Sequence, residues 1–300
     1  MKKIGFIGLG IMGKPMAKNL IKAGYALVVF DVNNSPVEEM VNAGAEAAHS
    51  PKEVTERSEI IITMLPNSPH VKEVVLGMNG ILEAECTGKI LVDMSSISPL
   101  VAKEIALKTT AAGLRMLDAP VSGGEPKAIN GTLAIMAGGD ADVFEEVQPI
   151  LLAMGASAVL VGEIGSGNVT KLANQIIVAL NIAAMSEAMV LATKAGVDPE
   201  KVYQAIRGGL AGSTVLDAKM PMVLNRDFKP GFRIELHIKD LMNALDTAHG
   251  IGVPIPLTSQ VMEMMQALKV DGHATEDHSA LIRFYEGMAQ TEVASFHEEH

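Results

Sequence analysis

The sequence is poor in the residues that mark several classes of protein. It has one cysteine among its 300 residues, which excludes an internal disulfide framework and is typical of a reducing compartment. It has no tryptophan, only 3 % aromatic residues, and fewer cations than acids, with a formal net charge of −11. Such an acidic chain is not expected to bind nucleic acid or an anionic membrane surface. We therefore expect a cytoplasmic protein without nucleic-acid or membrane partners.

The chain also lacks a clean membrane-spanning run. Its longest apolar stretch, residues 164–186, reads IGSGNVTKLANQIIVALNIAAMS and is interrupted by polar side chains. A stretch that is apolar on nearly every face predicts a buried helix. The N-terminal MKKIGFIGLGIMG superficially resembles a signal peptide, but its glycines, the lysine that follows and the absence of a small-residue cleavage site argue against one.

A glycine pattern stands near the start of the chain. Residues 3–13 read KIGFIGLGIMG, in which a short apolar run precedes Gly8, Gly10 and Gly13, and residues 14–23 are helix-like. A strand, a glycine-rich turn and a helix in this order are typical of dinucleotide binding, because the turn and the helix N-terminus accept a pyrophosphate. The spacing alone is weak, since glycine turns are common.

A second apolar run, residues 26–30, strengthens this interpretation because it ends at an acid. Asp31 follows Gly13 by 18 residues, close to the spacing of the carboxylate that binds an adenosine ribose. A carboxylate repels a 2′-phosphate, so Asp31 favours NAD as the cofactor, with NADP the weaker alternative. The other interpretation of Asp31 is an ordinary turn residue at the end of a strand.

The first half of the chain alternates apolar runs with helix-like segments, and the second half does not. Alternation of this kind predicts a largely parallel, doubly wound sheet. We therefore predict an α/β Rossmann-type domain over residues 1–164, a long interdomain helix, and an all-α substrate and oligomerisation domain over 165–300. Residues 225–233 are the most linker-like part of the second half. Further predicted strands lie at 60–65, 89–92, 114–117, 133–137 and 158–161.

Lys171 is the only ionisable side chain in the apolar stretch. A lone buried ammonium is unfavourable, so proteins keep one mainly where its charge or proton is used. Asn174 follows one turn later on the same helix face, and the two are predicted to be a proton donor and a substrate-orienting amide. Burial lowers the pKa of a lysine and a bound anion raises it, and the sequence does not decide between them. In the alternative interpretation, Lys171 only extends its head to solvent from the first turn.

Four motifs in order resemble the β-hydroxyacid dehydrogenase family along almost the whole chain. They are FIGLGIMGKPMAKNL at 6–20, DAPVSGGEPKAINGTL at 118–133, GSGNVTKLANQ at 165–175 and KDLMNAL at 239–245. The resemblance implies hydride transfer between a nicotinamide and a small carboxylate substrate, and a homo-oligomer (dimer or tetramer). Within the family, several stretches look most like reductases of a small semialdehyde. The alternatives are a 3-hydroxyisobutyrate dehydrogenase and, from another class, a catalytically silent nucleotide-binding scaffold.

The resemblance also implies roles for individual residues. Lys171 matches the family's catalytic lysine, and the others match positions that hold the substrate or the cofactor. The substrate residues are Ser122, Gly123, Gly124 and Asn174, and the cofactor residues are Gly8, Gly10, Ile11, Met12, Gly13, Asp31, Leu65, Pro66, Ser96, Phe232, Lys239 and Asp240.

Plainer interpretations remain for three of these groups. The Ser-Gly-Gly segment is otherwise a simple strand-to-helix turn, Phe232 a core aromatic, and Lys239 with Asp240 an exposed charged pair. No metal is expected, because His273 and His278 are isolated from other ligand types and residues 297–300 lack H-E-x-x-H spacing.

Overall fold

A computed structural model of the chain describes residues 2–295. The chain divides into two compact units, Met1–Lys171 and Leu172–His300. The division falls within one long helix, whereas the sequence prediction placed the domain boundary after residue 164.

Nine strands in the described part of the first unit form one sheet with the order β3-β2-β1-β4-β5-β6-β8-β7, and β9 pairs with β8. The strands are β1 Ile4–Ile7, β2 Leu27–Phe30, β3 Glu46–Ala47, β4 Ile60–Thr63, β5 Ile90–Asp93, β6 Arg115–Asp118, β7 Val121–Ser122, β8 Leu133–Gly138 and β9 Gly155–Gly162. The pairs from β3 to β6 are parallel, as predicted, and β8 is antiparallel to β6 and β7. The carboxyl ends of β1, β4, β5 and β6 therefore meet at one edge.

Helices cover both faces of this sheet, as the continuous apolar strands require. They are α1 Gly13–Lys22, α2 Asn34–Asn42, α3 Pro51–Glu56, α4 Ser68–Leu76, α5 Pro99–Ala111, α6 Gly124–Asn130 and α7 Ala141–Leu152. Alternate residues along β1 and β4 enter different cores: Phe6 and Ile62 join α1 and α7, whereas Ile7 and Ile61 join α3, α4 and α5. The first unit is thus a Rossmann-type, doubly wound domain.

The second unit is helical. Its helices are α8 Ser166–Lys194 (shared with the first unit), α9 Pro199–Ile206, α10 Thr214–Leu224, α11 Ile234–Gly250, α12 Pro256–Val270 and α13 Ile282–Ala289. A 3₁₀ turn at His278–Leu281 precedes α13, because the side chain of Asp277 accepts from Ser279 N and starts the turn there, and Gln290 ends the helix with φ 49°.

The helix α8 is less buried than its composition predicted. Ala179 and Met189 lie in the core of the second unit, but Ile177 is 61 % exposed and Leu191 is 72 % exposed. Within residues 2–295, α8 is the one helix long and apolar enough to cross a membrane by length and composition. Since its inner side forms the core of the helical unit, we describe it as a core helix with one exposed apolar side.

Candidate functional site

The three glycines of the turn after β1 have different surroundings. Gly8 has φ +97°, and a Cβ there would overlap the carbonyl of Met64. A Cβ on Gly13 would overlap the carbonyl of Gly8, so these two glycines are required by packing. At Gly10 a Cβ would meet no described atom within 4 Å. The α1 N-terminus, with Met12 as N-cap, has no side-chain cap. An open space beside a helix N-terminus fits a dinucleotide pyrophosphate.

Asp31 stands at the end of β2 and contacts the glycine turn. Its Oδ2 accepts from Leu9 N at 2.7 Å, and its Oδ1 accepts from Asn33 N at 2.8 Å. A carboxylate offers about four lone-pair sites, so these bonds leave it acceptor capacity for ribose hydroxyls. Asp31 is therefore a strand-end turn residue that also supports the glycine turn, and this geometry is compatible with both interpretations of it.

The residues after β4 and β5 are linked by hydrogen bonds. Leu65 N donates to Ser95 Oγ at 2.9 Å, and Ser95 N donates to Asp93 Oδ1 at 3.1 Å. Thr63 Oγ1 also donates to Asp93 Oδ1, at 2.8 Å. Ser95 thus ties together the segments that carry the predicted cofactor residues: Leu65 and Pro66 on one, and Ser96 on the other.

Asp93 is completely buried, and this burial raises its pKa to about 6. The bonds from Ser95 and Thr63 oppose the rise, whereas the charge of Asp118 adds to it. These two acids face each other in the β5–β6 register. Asp93 Oδ2 has no hydrogen-bond partner among the described residues.

The Ser-Gly-Gly segment turns sharply between β7 and α6. Ser122 ends β7, and Gly123 and Gly124 follow with φ 140° and φ 68°. A Cβ on Gly123 would lie 2.7 Å from the side chain of Lys127. Two successive positive φ values are readily reached only by glycine. This backbone is compatible with both predictions for the segment, a plain turn and an anion-binding run of amides.

Lys171 is only 6 % exposed, which contradicts the alternative that its head reaches solvent. The N-terminus of its helix is bound by Asp118, whose Oδ1 accepts from Gly165 N and whose Oδ2 accepts from Asn168 N, each at 2.7 Å. Burial raises the pKa of Asp118 above its usual range, although the N–H donors of Asn168 and Gly165 oppose this rise. Since every one of these contacts donates to it, the carboxylate form of Asp118 fits the site.

In the second unit, the predicted substrate and cofactor residues form a chain of side chains. Asn174 Nδ2 donates to Gln175 Oε1 at 2.9 Å, and Gln175 Nε2 donates to Asp240 Oδ2 at 2.6 Å. The Lys239 Nζ lies 2.9 Å from Asp240 Oδ1. Asp240 is 2 % exposed, so the alternative of an exposed charged pair was wrong.

Phe232 lies beside two buried histidines. Its ring meets those of His237 and His278 edge to face, with centroids 5.6 and 5.4 Å away. His237 Nε2 lies 3.1 Å from the carbonyl oxygen of Gln175, which can only accept, so this nitrogen carries the proton. In a neutral pair, His237 Nδ1 then accepts from His278 Nδ1 at 2.9 Å. Phe232 is therefore connected to Gln175 through His237.

The segment 225–233, predicted to be a linker, is a turn held in place by hydrogen bonds to Asp277. Gly231 N and Phe232 N both donate to Asp277 Oδ2 at 3.0 Å, and Lys219 Nζ donates to Asp277 Oδ1 at 2.9 Å. The position of Phe232 is thus set by Asp277, which sequence reasoning did not single out.

Sequence reasoning did not single out four side chains of the site: Asp118 and Asn168, at the start of the Lys171 helix, and Gln175 and His237, which contact predicted residues. Two carried a usable signal, since Asn168 and Gln175 stand three residues before and four after Lys171, on one helical face. Within residues 2–295, no group of three or more His, Cys, Asp or Glu is arranged to hold a metal. The histidines at 297 and 300 lie outside the described residues.

The chain is similar to known proteins over almost its whole length. Residues 3–162 match the model for the NAD binding domain of 6-phosphogluconate dehydrogenase, and 165–285 match that for the NAD-binding of NADP-dependent 3-hydroxyisobutyrate dehydrogenase. The 2-hydroxy-3-oxopropionate reductase of Escherichia coli is 47 % identical over 97 % of this chain and 100 % of its own. Mouse mitochondrial 3-hydroxyisobutyrate dehydrogenase is 37 % identical, covering 94 % of this chain and 86 % of its own. The structure of Mycobacterium tuberculosis 3-hydroxyisobutyrate dehydrogenase with L-serine matches at TM-score 0.88 and 32 % identity, covering 95 % and 99 %.

The chain belongs to the β-hydroxyacid dehydrogenase family. It is an NAD(P)-dependent oxidoreductase that acts on CH–OH groups of a small-molecule substrate.

Proposed function

We propose that the protein reduces tartronate semialdehyde (2-hydroxy-3-oxopropanoate) to glycerate with NADH, and that Lys171 is the general acid. The observation that carries the proposal is the burial of Lys171, the only ionisable residue in its apolar stretch, at 6 % exposure. The 47 % identity to an enzyme named for this substrate supports the choice of substrate.

The residues divide the work as follows. When bound, the reduced nicotinamide supplies the hydride that the aldehyde carbon takes up. Lys171 donates a proton to the carbonyl oxygen, where negative charge develops, so that the aldehyde becomes an alcohol. The amides of Ser122, Gly123 and Gly124 hold the substrate carboxylate, and Asn174 orients the substrate by hydrogen bonds.

The remaining predicted residues hold the cofactor. The glycine turn with Ile11 and Met12 receives the pyrophosphate, and Asp31 accepts from the adenosine ribose and disfavours a 2′-phosphate. The segments that carry Leu65, Pro66 and Ser96 border the cofactor, and their mutual hydrogen bonds through Ser95 support that role. Phe232, Lys239 and Asp240 are assigned to the cofactor by the family resemblance.

A 3-hydroxyisobutyrate dehydrogenase is the second candidate, favoured by the TM-score of 0.88 to a structure of that name. The two substrates differ in a hydroxyl against a methyl, and a site built for a hydroxyl rejects its apolar counterpart strongly. We also propose a cytoplasmic homo-oligomer. The exposed apolar side chains of α8 support the oligomer, and sedimentation velocity measures it.

The test is a steady-state panel with NADH and NADPH. Purified protein is given either tartronate semialdehyde or the aldehyde that results when the alcohol of 3-hydroxyisobutyrate is oxidised. The kcat/KM values for the two aldehydes are then compared with each cofactor. We expect the highest ratio with tartronate semialdehyde and NADH. Lys171→Met should lower kcat by about 10²–10⁴-fold while NADH still binds, because general acid catalysis contributes about that much. A kcat for Lys171→Met close to that of the wild type would contradict the assigned role of Lys171.

A further inference from the structure

The N-terminus of α8 is held by a side chain from a distant strand. The first amides of a helix need acceptors, and most helices take them from a Ser, Thr, Asp or Asn next to the helix. Here both carboxylate oxygens of Asp118, at the end of β6, bind amides of α8: Gly165 N and Asn168 N, each at 2.7 Å. Two anchor points three residues apart fix the rotation of the first turn as well as its position.

Asn168 extends this connection to the segment after β5. Its Nδ2 donates to Asp118 Oδ2 at 3.2 Å, and its Oδ1 accepts from Ile97 N at 3.0 Å. Asn168 is 1 % exposed, so both ends of its amide are used in a buried setting. Ile97 follows Ser96, and Asn168 precedes Lys171 by one helical turn. Asn168 therefore binds the segment of Ser96 to the helix of Lys171.

Two glycines make this close approach possible. A Cβ on Gly167 would lie 2.5 Å from the carbonyl oxygens of both Asp118 and Met136. A Cβ on Gly138, which pairs with Asp118 in the β6–β8 register, would lie 2.5 Å from Asp118 Oδ1. The first turn of α8 thus packs directly on the backbone of β6 and β8, with no room for a Cβ at Gly167 or Gly138.

We propose that Asp118 and Asn168 are positioning residues for Lys171, which set the height and rotation of the helix turn from which the lysine extends. The inference rests on the proposed role of Lys171. A flexible lysine reaches a reacting oxygen reproducibly only if its Cα is fixed, and a misplacement of about 1 Å can lower a rate by roughly 100-fold.

Asp93 provides a matched comparison. It is as buried as Asp118 and lies opposite it in the sheet register, but its described bonds go to Thr63 and Ser95, on the side of the predicted cofactor segments. The two acids should therefore affect different properties. Asp118→Asn presents an N–H₂ to an N–H donor of α8, since an amide has only one acceptor oxygen. Asp93→Asn can keep an oxygen at the position of Oδ1, which accepts from Thr63 and Ser95.

The experiment compares Asp118→Asn, Asn168→Ala, their double variant and Asp93→Asn in the full chain. For Asp118→Asn we expect kcat to fall about 10- to 100-fold, with the NADH Kd unchanged within about threefold. Hydrogen exchange at the Gly165 and Asn168 amides should become faster. The double variant should be little worse than either single variant, because the two residues act as one unit. Asp93→Asn should alter the NADH Kd and leave exchange in α8 unchanged.

A readout independent of turnover separates this proposal from the function proposed above. Lys171 is labelled by reductive ¹³C-methylation, and its NMR signal is titrated, with Lys171→Arg used to assign the signal. We expect the shift and the titration of that signal to change in Asp118→Asn and Asn168→Ala but not in Asp93→Asn. An unchanged Lys171 signal, or equal losses of NADH affinity in both acid variants, would overturn the positioning role. Inactivity of the wild type on the panel would instead refute the proposed reaction.

Discussion

The two units hold their predicted functional residues in different ways. In the first unit, polar side chains bind backbone amides: Asp31 binds Leu9 N, Ser95 binds Leu65 N, and Asp118 binds Gly165 N. In the second unit, side chains on the helices bind one another, from Asn174 through Gln175 and Asp240 to Lys239, and from His237 to His278. Backbone amides are bound there mainly beside a turn, where Asp277 accepts from Gly231 N and Phe232 N.

This difference follows from the secondary structure that each unit uses. Strand ends and tight turns expose amides with a fixed direction, so one short side chain at a strand end is enough to bind them. Helix interiors have no amides to offer, so buried polar groups on helices must satisfy one another. The first unit should therefore be sensitive to changes of backbone geometry, and the second to the loss of single side chains.

The largest effect is expected at a glycine of the first unit. Gly13→Ala places a Cβ on the carbonyl oxygen of Gly8. Because this atom belongs to the backbone and not to a flexible side chain, the clash is not easily relieved, and the free energy of unfolding should fall by more than about 4 kcal/mol. Gly10→Ala is the matched control, because a Cβ there meets nothing within 4 Å. We expect it to fold with a Tm close to wild type and to bind NADH at least tenfold more weakly. Denaturant unfolding and fluorescence titration measure the two properties. Equal stability of the two variants would contradict the packing role of Gly13.

The second effect concerns the side-chain network of the second unit. Asp240→Ala removes a partner of both the Lys239 ammonium and the Gln175 amide, and should lower the free energy of unfolding by about 3 kcal/mol or more. Asp246→Ala, on the exposed side of the same helix, should change it by less than about 0.5 kcal/mol. Urea unfolding of both variants checks the difference. If Asp240→Ala were as mild as Asp246→Ala, the network would be irrelevant to stability.

The same contrast explains what could be predicted from the sequence. The glycine turn, Asp31 and the alternating strands were predictable, because a left-handed turn needs glycine and a doubly covered strand needs a continuous apolar run. The fold class followed from them. The burial of Lys171 also followed from its apolar neighbours.

The second unit was less predictable, because helical periodicity shows which face is polar but not which faces meet. Gln175 stood beside Asn174, yet its bond to Asp240 joins residues 65 positions apart. The pairing of Lys239 with Asp240 looked like surface charge, and the segment before Phe232 looked like a linker. The carboxylate that braces that segment, Asp277, is distant in sequence and carries no local signal.

The smallest effect is a pH dependence of stability in the first unit. Asp93 has a folded pKa of about 6, raised by burial from 3.8. Between these values the folded state binds a proton that the unfolded state does not, so Asp93 contributes stability that is complete below about pH 4 and is lost as the pH rises through 6. At about 1.4 kcal/mol per unit, the loss is at most about 3 kcal/mol.

Asp93→Asn should remove this dependence while keeping the acceptor for Thr63 and Ser95. The difference in unfolding free energy between variant and wild type should therefore shift in favour of the variant as the pH rises from 4 to 7, although the new amide nitrogen lacks a partner and lowers stability by about 1 kcal/mol throughout. Urea unfolding across this range measures it. The exposed Asp142→Asn serves as the control, because it removes an acid from the surface of the same unit. If the free-energy difference between Asp93→Asn and wild type did not change with pH, the prediction would be wrong, and the protein would stabilise the ionised form of Asp93. The acids of the first unit would then depend on backbone amides for their charge as well as for their position.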